Sequence, residues 1–156
     1  MTTASAFIPE EWEILSAGIL QPAMAVSLAE RGGTLTEMLA LYDTLAGELK
    51  AHSSNPLIAA LLDHVVSRKA ADALKAYDDI AFETLRDMAL RTLASAEMLL
   101  RKKATPEELA VYREIVRVVC HQVAGAHGEG SGSHGEKVSA SERDMLNKIE
   151  AILSSS

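Results

Sequence analysis

Cysteine occurs once, at Cys120, so no disulfide can form within the chain and a reducing, cytoplasmic setting is expected. Aromatic residues make up only 4% of the sequence, too few for a β-sandwich core built on alternating aromatic and β-branched positions. Basic residues are outnumbered, 15 against 22 acidic, for a net charge of −7. That balance argues against a dedicated nucleic-acid binder, which needs a cationic face for phosphates. The longest uncharged stretch, 14–29, is interrupted by Gln21-Pro22 and falls short of the roughly 20 residues a membrane span requires. No basic, apolar leader precedes Glu10, Glu11 and Glu13, so a secretory signal is not expected. The motifs HExxH, GxSxG, GxGxxG and the Walker A loop are all missing, as is the Glu-x-x-His pair of di-iron bundles.

What remains is rich in Ala, Leu, Glu and Met, the residues of close-packed helices. The chain of 156 residues is read as one helical domain, with loose ends at 1–7 and 154–156 and a Gly/His/Glu loop at 125–137. The organising stretch is 70–103, which holds neither Gly nor Pro. Leu85, Ala89, Leu93, Ala96 and Leu100 recur at helical spacing along it. A single helix of that length would reach about 50 Å, longer than a small domain is wide. A break is therefore expected near Asp78-Asp79.

The other segments carry helix punctuation. Pro9 with Glu10, Glu11 and Glu13 opens a helix whose apolar face is Trp12, Leu15 and Ile19, and Pro22 is expected to kink it or begin another. Thr34-x-x-Glu37 is a capping box ahead of Leu35, Met38, Tyr42, Leu45 and Leu49, a heptad seam. Asn55-Pro56 starts a short helix with Ile58, Leu61, Leu62, Val65 and Val66 apolar. Thr105-Pro106-Glu107-Glu108 opens a helix with the seam Leu109, Tyr112, Val116, Val119 and Val123, apolar on more than half its surface and expected at the centre. Ser139-x-x-Glu142 leads Met145, Leu146, Ile149, Ile152 and Leu153 into the last helix. The fold expected is all-α, an up-and-down bundle of about five to seven helices.

Chemistry is sparse. His127-Gly-Glu129 and His134-Gly-Glu136 repeat across a glycine-rich loop, with His121 ending the helix before it. Imidazoles and carboxylates on such a loop could wrap a divalent metal, although none has the fixed helical spacing of a rigid site, and a solvated linker explains the loop as well. Cys120 is expected to be a buried, inert thiol, because adjacent helix positions face apart and His121 cannot activate it. Asp78, Asp79, Glu83 and Asp87 read as a solvated face paired to Arg86 and Arg91. Arg101, Lys102 and Lys103 read as cations at a helix C-terminus. No catalytic set emerges.

The run KATPEELAVYREIVRVVCHQVAGA, the Gly-rich loop and KVSASERDMLNKIEAIL resemble small uncharacterised bacterial helical proteins with a PEE-initiated helix and a closing VSxxE helix. That resemblance implies a helical bundle and no established activity. Glu136, Val138, Ser139 and Glu142 are also similar to the outline of tellurite-resistance TerB-like domains, with Gly135-Glu136 standing where those carry Asp-Gly. The function expected is a non-enzymatic bundle acting through protein contacts or self-association as a homodimer. The alternative is a metal-binding or stress-response protein using the loop.

Overall fold

A computed structural model describes residues 7–30, 35–67, 75, 77, 80–126 and 140–154, the side chains of 30, 35–39, 125 and 126 excepted. These residues form an all-α bundle of six helices with no strand among them: α1 (Pro9–Glu30), α2 (Leu35–Ala51), α3 (Pro56–Val66), α4 (Phe82–Lys103), α5 (Pro106–Ala126) and α6 (Ala140–Leu153). The capping boxes at Thr34 and Ser139 and the suspected break at Asp78-Asp79 involve residues outside those described. Within the long stretch, α4 begins at Phe82 after an extended Ala81.

The stripe of α4 is the core as its spacing predicts: Leu85, Ala89, Leu93, Ala96 and Leu100 are all fully buried. Tyr42, Leu45 and Leu49 of α2 and Met145, Leu146, Ile149 and Leu153 of α6 are buried likewise. The seam of α5 is buried at Tyr112, Val116 and Val119, while Leu109 and Val123 are half-buried. In α3 the spacing is only partly right. Ile58, Leu61 and Val65 point inward, Leu62 is half-buried, and Val66 is exposed.

Two expectations change. Of the two outcomes expected at Pro22, the start of another helix is excluded, since α1 runs from Pro9 to Glu30 with Pro22 inside it. The missing N–H and the ring's clash with the preceding turn are tolerated because tertiary packing, not local propensity, carries most of a helix's stability. From Gly18 through Ser27 every residue of α1 is buried, the condition of a helix surrounded on all sides. α5 does touch each of the other helices, but α1 does so too and packs more extensively, above all against α4. α5 thus shares the centre expected of it with α1. By length and composition α1 alone among the described helices could cross a membrane, and 67% of that stretch is buried inside the bundle.

The second change is at the N-terminal arm. Phe7 is buried, its ring 4.9 Å from that of Trp12 and 5.5 Å from the Lys103 ammonium. Lys103 also pairs with Glu11 at 2.7 Å, tying the end of α4 to the start of α1.

Close approach explains one glycine. A Cβ on Gly18 would collide with the Tyr112 hydroxyl and sit 3.0 Å from the Ala96 Cβ. That hydroxyl donates to the Leu15 carbonyl at 2.6 Å, stitching α5 onto the backbone of α1. Tyr42 does the same for α3, donating to the Val65 carbonyl at 2.9 Å and serving an end that lacks intrahelical donors.

Candidate functional site

Residues Ala104 and Thr105 alone separate α4 from α5, so the chain folds back as a helical hairpin. Its turn is built by the capping box expected there. The Glu108 N–H donates to Thr105 Oγ1 at 3.1 Å and the Thr105 N–H to Glu108 Oε1 at 2.9 Å. The hairpin is then clamped by Glu97, a carboxylate only 3% exposed. Arg113 donates to it from Nε at 2.9 Å and from Nη2 at 2.6 Å, and Arg101 approaches at 3.4 Å. One turn on, Arg117 forks onto Glu150 of α6 with two bonds of 3.0 Å, and Ser154 donates to the same carboxylate at 2.7 Å. The hydrogen bond to Glu97 raises the Arg113 pKa, the one to Glu150 raises that of Arg117, and Arg117 followed by Ser154 holds Glu150 below the ordinary carboxylate value. These groups are mutually saturated and hold helices together.

The outward side of this hairpin is different. On α4, opposite the core stripe, Arg91, Ser95, Met98 and Lys102 follow at steps of four, three and four and are all exposed, with Arg101 on the flank. Met98 is the most exposed large apolar side chain described, at 68%. Neither Arg91 nor Lys102 forms an ion pair among the described residues. Between them no carboxylate faces out, because Glu97 turns inward, and the next one along the line is Asp87, one turn before Arg91 and paired with Arg86. On α5 the outward residues are Glu107, Ala110 and Glu114, at steps of three and four. In a chain of net charge −7 the outward residues thus present opposite signs over the turns next to the bend, from Arg91 to Lys102 on α4 and from Glu107 to Glu114 on α5, each around a centre that carries no charge.

Elsewhere little chemistry is available. Burial alone pushes the Cys120 thiol up to about 12, so it stays protonated and inert, as its position predicts. His121 beside it is exposed. His127, Glu129, His134 and Glu136, the other candidate metal ligands, lie outside the described residues. Among the described residues no three His, Cys, Asp or Glu side chains gather closely enough to hold a metal ion. His64 meets Glu13 at 2.7 Å and His52 meets Glu48 at 3.4 Å. Asp87 pairs with its neighbour Arg86 at 3.1 Å rather than with Arg91. A shallow cleft of about 290 Å³ lies between the starts of α3 and α5, lined by Asn55, Pro56, Thr105, Glu107 and Glu108. Two helix N-termini meet there, but Asn55 caps the Leu57 amide at 3.0 Å and Thr105 that of Glu108, so those donors are engaged.

The sequence reading missed Met98, Arg91 and Lys102. The signal was present in their spacing, directly behind the apolar stripe of α4. Compared with known proteins, the chain matches no family model, no curated sequence and no solved structure.

Proposed function

We propose that this is a non-enzymatic helical-bundle protein that acts through protein–protein contacts, self-association included. The observation that carries the reading is Met98, an exposed apolar side chain at 68%, standing among Arg91, Arg101 and Lys102 on the outer face of α4. Lone apolar residues are common on surfaces. An apolar centre ringed by one sign of charge on a protein of the other sign has the layout of a contact patch, with a dry middle and a charged rim.

Met98→Glu tests it. The side chain points away from the core, so the thermal melt should not move, whereas self-association or retention of an identified partner should drop at least tenfold. A protein that neither self-associates nor retains any partner sensitive to Met98→Glu overturns the reading.

A further inference from the structure

We infer that the occupant of this face is a second copy of the chain, bound with α4 of one copy laid antiparallel on α5 of the other. The inference rests on the protein-contact reading and commits it to one partner.

The argument is one of charge and level. Placing the segment Arg91–Lys102, with Met98 at its middle, on the same segment of another copy would bring cations against cations, which an interface disfavours. Placing α4 on α5 brings cations against Glu107 and Glu114 instead. The Glu97–Arg113 pair fixes which residues of the two arms stand level. Counting along both helices from it, Met98 is level with the turn Ala110–Tyr112, and Lys102 with Glu107-Glu108.

A two-fold axis running alongside the hairpin preserves these levels. It sets Met98 over Ala110, where a small side chain leaves room, with Lys102 against Glu107. Arg91 and Ser95 then lie toward Glu114, within the reach of a long guanidinium. The same axis repeats every contact in reverse, α5 on α4, as a closed isologous interface requires. Charge of the kind found on this hairpin is therefore complementary to the hairpin itself, rotated.

The test is sedimentation velocity of the full chain across a concentration series, at low and high salt, on the wild type, Lys102→Glu, Glu107→Lys and the double exchange. Thermal melts confirm that each variant is folded. The wild type should form dimers that weaken with salt. Each single reversal should weaken them about tenfold or more, and the double exchange should return the dimer to within a few-fold of the wild type. Recovery in the double exchange is an outcome that damage to the fold cannot imitate. Dimers indifferent to the single reversals, or not recovered in the double, overturn this pairing and leave the protein-contact reading standing. A wild type that stays monomeric overturns the pairing as well, and the Met98→Glu experiment on other partners then decides the broader reading.

Discussion

Helices α1 and α5 each touch the other five, but they hold their neighbours by different means. α1 is buried without interruption from Gly18 through Ser27. Among those residues only Gln21 and Ser27 have polar side chains. Its partners close on it by shape, to the point that Gly18 has no room for a methyl group. α5 is amphipathic. Its inner face carries Tyr112, Ile115, Val116 and Val119 into the core, and its flank carries Arg113 and Arg117 to carboxylates on two different helices. A helix enclosed by apolar contact is kept in place by the fit of its side chains, because overlap is costly although dispersion is not directional. One fixed by bidentate ion pairs has a register. Shape gives α1 its burial, and the forks give α4, α5 and α6 their alignment.

The sharpest way to break this contrast is at the clamp of α5. Arg113→Met leaves the Glu97 carboxylate, 3% exposed, with only the longer contact to Arg101. Removing one partner of a buried pair costs about 3 kcal/mol, read as a loss in denaturant midpoint. Glu97→Gln should cost less, because Arg113 is 23% exposed and can turn toward water. Equal losses in the two variants would mean that Glu97 is hydrated in solution and that the clamp is a surface pair.

Shape should fail next. Gly18→Ala puts a methyl group into the Tyr112 hydroxyl and should cost about 2 kcal/mol, the usual penalty of overpacking. Tyr112→Phe removes the obstructing atom along with the bond to Leu15. The alanine should therefore cost much less in the phenylalanine background, a coupling measurable by a double-mutant cycle. Simple additivity would show that the obstruction at Gly18 comes from Ala96 rather than from Tyr112.

A smaller effect is read by pH. Glu150 is held below its ordinary value by Arg117 and Ser154, and Glu11 by Lys103. A carboxylate lowered in the folded state stabilises fully above its unfolded value, about 4.3. That contribution is lost as pH falls from there through the lowered folded value. Stability should thus decline in acid from just above pH 4 downward, and Glu150→Gln should flatten part of the decline. Glu150 is about half exposed, so the difference should stay below about 1 kcal/mol. A variant whose acid transition overlays that of the wild type would show the fork to be open in solution.

How much of this was legible beforehand follows the same division. The stripe of α4 and the cap at Thr105 were readable because period and punctuation agreed there, and every stripe residue is buried. α1 was read in its first turns, where the face Trp12, Leu15 and Ile19 is buried, and not beyond. From Gly18 to Ser27 it is enclosed on all sides and has no face to find, and Pro22 could be read as a kink or a new start because the packing that carries the helix through it is invisible in one dimension. The forks were unreadable for a related reason. Arg113 and Glu97 are 16 residues apart, and only the tight hairpin turn makes them neighbours. The proposed contact face lay in plain view at helical spacing, but the run Arg101-Lys102-Lys103 already had a local explanation in the helix dipole, and Met98, outside the apolar stripe, was given no role.

The subtlest test concerns Gln21, a polar side chain inside the buried stretch of α1. Gln21 donates from Nε2 to the Tyr77 hydroxyl at 2.8 Å, while its Oε1 is buried without a hydrogen-bond partner. A made bond contributes about 1 kcal/mol, and an unmade buried acceptor costs about 1 to 3, so the two nearly cancel or the cost prevails. Gln21→Leu removes both at similar volume, and half-buried Tyr77 can still reach water. The variant should match the wild type or exceed it by up to about 1 kcal/mol in chemical denaturation. If the stretch of α1 from Gly18 to Ser27 is held by shape, this long-range polar contact is dispensable. A clear loss on Gln21→Leu would mean that the buried stretch of α1, like α5, depends on a directional bond for its place in the bundle.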